Sequence, residues 1–166
     1  MKTVYIISGP LGVGKTSVSS ALSKVLEQTT LVVGDDLYNL EKESDLAWEE
    51  KLRKSWERIV ALTKKHLDSG QSVVVDFVVE DELPWFMEQL SGKNVHFRYI
   101  VLLADKKSVL DRLKNRGELR YKDRSMVLLD QLSKDSSNKK YIIDTTNKEI
   151  KEIVQEIINS TRFVVN

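Results

Sequence analysis

Cysteine is absent from this 166-residue chain, which excludes disulfides, a thiolate nucleophile and cysteine-held zinc or iron–sulfur sites. Long apolar runs are absent too. The N-terminal run Val4-Tyr5-Ile6-Ile7 is too short for a signal-peptide core, and nothing nears the length of a membrane span. A cytoplasmic location without a membrane partner is expected. Neither sign of charge is in excess: 26 basic against 25 acidic side chains leave a net charge of +1. A chain so balanced has no overall field for a polyanion, so nucleic acid is not an expected partner. Linkers, repeats and low-complexity segments are also missing, and the length suits one domain over residues 1–166. His66 and His96 lack metal-ligand spacing to each other or to carboxylates.

What is present centres on Gly9-Pro10-Leu11-Gly12-Val13-Gly14-Lys15-Thr16. The stretch follows an apolar strand pattern and opens onto a helical one, the context a phosphate-binding P-loop requires. Glycines there let backbone N–H groups close on phosphate oxygens, and the following helix start adds partial positive charge. Gly9, Gly12, Val13, Gly14, Lys15, Thr16 and Ser17 are therefore expected to hold a nucleotide triphosphate. Lys15 supplies a point charge and Thr16 a ligand for Mg²⁺.

Further along, Val18, Ala21, Leu22, Val25 and Leu26 repeat at helical spacing, and Thr30 to Val33 reads as a short buried strand. Gly34-Asp35-Asp36 then places two carboxylates at a strand tip, where ligands gather in open α/β sheets. Ser44-Asp45 predicts the start of a long helix with Leu52, Trp56, Ile59, Val60, Thr63 and Leu67 inward, ended by Gly70. Val73 to Val75 is a strand with Asp76 at its tip, and Asp81 predicts a cap for a helix carrying Pro84, Trp85 and Phe86. Phe97 to Leu103 is the longest strand pattern. Asp105 caps the helix after it, and Gly117 stops that helix. Residues of about 117–124 are polar, with Arg112, Arg116, Arg120, Lys122 and Arg124 at intervals near four, the spacing of a mobile basic lid. Tyr141 to Ile143 predicts the last strand, Thr146 to Glu149 a capping box, and Phe163 to Val165 either an added strand or a tail. Five strands alternating with helices predict an α/β fold with a parallel sheet covered on both faces, a three-layer sandwich.

Three carboxylates carry the expected chemistry. Asp35 faces the place of the γ-phosphate and is the expected base for an acceptor hydroxyl, with Asp36 beside it. Asp76 ends a valine run in the manner of a Mg²⁺-binding Walker B carboxylate.

With these motifs in view the chain resembles the small P-loop kinases: nucleoside-monophosphate, shikimate and gluconate kinases, chloramphenicol phosphotransferase and polynucleotide 5′-kinases. The carriers are GPLGVGKT at Gly9 to Thr16, GDD at Gly34 to Asp36, VVVD at Val73 to Asp76, LDRLKNRG at Leu110 to Gly117 and IIDTTNKE at Ile142 to Glu149. The resemblance implies strand order 2-3-1-4-5. It implies ATP and Mg²⁺ as cofactors, and lid arginines Arg112 and Arg116 on adenine or phosphates. It also implies that the segment from Asp144 to Asn147 lies beside the base, with Thr146 and Asn147 as its binding residues. The expected function is ATP-dependent phosphorylation of a hydroxyl on a small-molecule acceptor. A polynucleotide 5′-hydroxyl kinase and a non-catalytic nucleotide-binding switch are the alternatives. Monophosphate kinases carry an arginine soon after the third-strand Asp, whereas Asp76 is followed by Glu80, Asp81 and Glu82. An unphosphorylated, neutral or cationic acceptor between the tips of Asp35 and Asp76 and the helices of Trp48 and Trp85 is therefore expected.

Overall fold

The computed structural model describes all residues 1–166. Strand β1 (Lys2–Ser8) is buried without a break from Val4 to Ser8, because strands flank both its edges and helices cover both its faces. Helix α1 (Lys15–Val25) follows the glycine loop and buries Val18 and Leu22, while Val25 stays exposed at its last turn. Strand β2 (Thr29–Val33) runs directly into a six-residue helix α2 (Gly34–Asn39). Asp35 and Asp36 stand at the strand tip, as the sequence places them, and there occupy the first turn of a helix that the sequence did not announce, where carboxylates suit the positive end of the dipole. Gly34 is required there by contact, since a Cβ would fall 2.3 Å from the Phe77 ring.

Helix α3 (Trp48–Asp68) begins three residues after Asp45, because the Ser44 hydroxyl accepts from the Leu46 amide and forms a local turn. Its buried stripe holds Trp56, Ile59, Val60, Thr63 and Leu67 as expected, with Leu52 half-buried. Strand β3 (Ser72–Asp76) leads to α4 (Leu83–Gln89). Glu82, not Asp81, precedes that helix, and its carboxylate accepts from the amides of Glu80 and Asp81. Strand β4 (Val95–Leu103) is followed by α5 (Lys106–Asn115), capped by Asp105 accepting from the Ser108 amide. Gly117 ends this segment in the left-handed region at φ 69°. A 3₁₀ turn at Leu119–Tyr121 then enters α6 (Lys122–Lys134).

After a second 3₁₀ turn at Ser136–Tyr141 come β5 (Ile142–Asp144) and α7 (Ile150–Asn159). The capping box of α7 joins Glu149 and Glu152, three residues later than the Thr146-to-Glu149 box the sequence suggests. Thr146 is occupied elsewhere, donating to Asp144 Oδ1 at 2.6 Å and accepting from the Asp105 amide.

The parallel strands lie in the order β2-β3-β1-β4-β5, as the resemblance implied. A two-residue strand β6 (Val164–Val165) adds antiparallel to β4, with Arg98 opposite Val164, and turns the chain end into sheet. The tips of β1, β2 and β3 come into register through Ile7 opposite Asp76 and Val33 opposite Asp76. That register brings the P-loop, Asp35 and Asp76 to one edge. No helix is long and apolar enough to cross a membrane.

Candidate active site

The P-loop leaves β1 through Gly9, at φ 147°, where a Cβ would fall 2.4 Å from the Leu102 carbonyl oxygen. No side chain could stand so close to a neighbouring strand. The loop ends at Gly14, which precedes α1 in the left-handed region with no side chain capping the helix. The first amides of α1 are thus left for an anion. Three successive loop carbonyls are held from outside. Leu11 O accepts from Ser125 Oγ at 2.8 Å, Gly12 O from Arg112 Nη1 at 3.3 Å and Val13 O from Thr145 Oγ1 at 2.9 Å. With the carbonyls engaged by α6, α5 and the turn after β5, the N–H side of the loop is fixed as a cradle.

Lys15 and Asp76 meet beneath that cradle at 3.2 Å, with side chains 7% and 2% exposed. Neither carboxylate oxygen receives an aligned hydrogen bond, so the contact is one of charge alone. A buried carboxylate with one ammonium beside it and no hydrogen bond to either oxygen has lone pairs left to offer, as a Mg²⁺ ligand must. No cluster of three or more acidic or histidine side chains accompanies it. Mg²⁺ takes one or two protein oxygens and completes its shell with phosphates and water. Thr16 and Asp76 fit this donor set.

Two cavities lie on either side of the loop. The smaller, about 260 Å³, is lined by Gly12, Val13, Gly14, Ser17, Arg112, Thr145, Lys148, Ile150 and Ile153. The larger, about 520 Å³, is lined by Gly9, Lys15, Thr16, Asp35, Tyr38, Trp48, Phe77, Tyr121 and a set of arginines. Arg116 borders both. Asp35 faces the larger cavity and is exposed, free of hydrogen-bonded neighbours in the way a base for an incoming hydroxyl would be. Asp36 and Trp85 line neither cavity. Tyr99, on the strand beside the P-loop strand, has its phenol pushed up to about 12 by burial and stays neutral.

Arg112 is more constrained than a lid residue. Its guanidinium donates to Gly12 O and to both oxygens of Thr145, at 3.2 to 3.3 Å. Thr146 and Asn147 do not line the smaller cavity; Thr145 and Lys148 do. Thr145, 2% exposed, falls within the segment expected beside the base but was not singled out there, although its place just past a strand tip was a usable signal. The absence of arginine after Asp76 proves no guide to the larger cavity. Arg116, Arg120 and Arg124 line it, Arg124 pairing with Glu80 of the segment after Asp76, while Arg53 pairs with Glu50 and Glu57, and Arg58 with Glu41, and neither lines it.

A family model described as "AAA domain" matches residues 6–152. The chain belongs to that family. It is 28% identical over 168 residues to a Methanocaldococcus jannaschii protein named "Putative adenylate kinase", covering 94% of this chain and 84% of that one. Among solved structures, the Deinococcus radiodurans tunicamycin resistance protein superposes with a TM-score of 0.70 at 18% identity, over 100% of this chain and 99% of that one. The Mycobacterium tuberculosis APS kinase, solved with AMPPNP and APS, gives 0.68 at 20% identity over 95% of each chain. Both share the fold of this chain.

Proposed function

We propose that this AAA-family chain is an ATP-dependent kinase that phosphorylates a hydroxyl of a small molecule. The observation that carries the reading is the pair of cavities meeting across the P-loop at Arg116. The smaller takes the nucleoside of ATP between the loop, Thr145 and Ile153; the larger takes the acceptor beside Asp35. Phosphoryl transfer needs in-line positioning and cations on the transferring oxygens more than covalent help from the protein. Lys15 and the open amides of α1 hold the phosphates. Asp35 accepts the hydroxyl proton. Arg116 sits where donor and acceptor meet and balances charge on the moving group. Thr16 and Asp76 would hold Mg²⁺, which supplies charge neutralisation on the phosphate oxygens. The exposed segment of residues 117–124 closes over both cavities as a lid within the single domain.

The deciding measurement is ATP consumption by the purified protein across sugars, sugar acids, nucleosides, antibiotics and oligonucleotides. Consumption that rises with one small alcohol and falls in Asp35→Asn supports the reading. Label transfer to an oligonucleotide end identifies a polynucleotide kinase, and binding with slow acceptor-independent hydrolysis identifies a switch.

A further inference from the structure

Charge in the larger cavity is lopsided, with four basic side chains, Lys15, Arg116, Arg120 and Arg124, against Asp35 and Glu118. Most of the positive charge is already matched. Lys15 faces Asp76, Arg116 faces Glu118 at 3.3 Å, and Arg124 pairs with Glu80. Arg120 alone of these four has no carboxylate. Its Nη1 donates to the Gly117 carbonyl at 3.0 Å, and its guanidinium lies 4.5 Å above the Tyr121 ring. A guanidinium carries five N–H donors in a rigid fork, so a single carbonyl leaves room for a two-oxygen anion. Stacking on Tyr121 holds the plane of that fork in advance.

The same cavity offers apolar faces. Trp48 is 56% exposed and Tyr121 45% exposed, yet both border the cavity. Large aromatic surface left uncovered beside a polar pocket is gained cheaply by a ring that stacks on it.

We propose that the acceptor is a ring-bearing alcohol with an anionic group, its ring against Trp48 and Tyr121 and its anion on Arg120. The proposal rests on reading the larger cavity as the acceptor's. It reverses the charge expected from the segment after Asp76, because the arginines come from residues 116–124. Arg120 is then the residue that selects the substrate, through charge-assisted hydrogen bonds to a carboxylate, sulfate or phosphate.

Three matched pairs of alcohols test this: shikimate and its methyl ester, para-hydroxymethyl benzoate and benzyl alcohol, adenosine phosphosulfate and adenosine. Each is titrated into protein saturated with AMPPNP and Mg²⁺. The Trp48 indole N–H resonance, assigned with Trp48→Phe, is the readout. In at least one pair the anionic member shifts that resonance and binds about tenfold or more tightly than its neutral partner, as one charge-assisted contact would give. Arg120→Ala removes the preference at an unchanged Tm, and Arg120→Gln serves if the alanine variant is less stable. No preference for the anionic member in any pair, or a preference that survives both variants, overturns the proposal. ATP consumption with the same probes judges the kinase reading separately. A probe that binds with the expected preference and never raises consumption removes the transfer reaction and leaves the recognition of anions standing.

Discussion

Lys15 and Asp76 neutralise one another at 3.2 Å in a place almost closed to water. Each is therefore part of the fold as well as part of the site. Lys15→Ala should abolish phosphoryl transfer and also strand a buried carboxylate, costing about 3 kcal/mol of stability. Asp76→Asn in the same chain should restore most of the Tm and none of the activity. Thermal unfolding of the two single variants and the double variant checks this; additive losses of Tm would contradict it.

Thr145 ties the turn after β5 to the P-loop through Val13 O and receives Arg112 on both its oxygens. Thr145→Val keeps the volume and removes the hydroxyl, so Val13 O loses its donor and Arg112 one acceptor. KM for ATP should rise about tenfold, in line with the loss of one or two buried hydrogen bonds, with a smaller fall in kcat. Thr145→Ser should keep KM near the parent value. Steady-state kinetics at varied ATP decides, and a kcat loss without a KM change would argue for a different role.

Residues 117–124 are exposed apart from half-buried Glu118, and end at Ser125, which is 2% exposed and bonded to Leu11 O. The contact of Arg124 with Glu80 is a surface ion pair and contributes little by itself. The segment should therefore open between Gly117 and Ser125 when no nucleotide is bound. Amide hydrogen exchange there should be fast in the free protein and slow with AMPPNP. Equal rates in both states would mean that it is not a lid.

Glu41 fastens the α2–α3 connection by accepting from Arg58 Nη2 at 2.6 Å, and this hydrogen bond holds its carboxyl below the ordinary value of 4.5. A carboxylate depressed by folding stabilises above its unfolded value and loses that contribution as pH falls through its folded value. Glu41→Gln should lower Tm most near neutral pH, and the difference from the parent should shrink below pH of about 4.5. A difference that stays constant from neutral pH to pH of about 3 would show that the ion pair is not its source.

The sequence by itself determined most of the elements and the glycines of the cradle. Valine runs at Val73 to Val75, apolar spacing from Trp56 to Leu67 and glycines at Gly9, Gly12 and Gly14 act through neighbours a few residues away. Their physics is local, so it is legible in order along the chain. The α2 helix was hidden because Gly34-Asp35-Asp36 satisfies turn chemistry as well as helix chemistry, and the neighbouring α3 decides between them. The tertiary structure decided what surrounds the cradle. Ser125, Arg112 and Thr145 reach Leu11, Gly12 and Val13 across 114, 100 and 132 residues of sequence. A hydrogen bond to a backbone carbonyl asks nothing of the residue that owns it, so no pattern at Leu11, Gly12 or Val13 announces the partner. The same holds for Arg120 and Trp48. Charge and aromatic surface from distant segments meet in one cavity only because the sheet order brings the tips of β1 and β2 and the α5–α6 segment to the same edge.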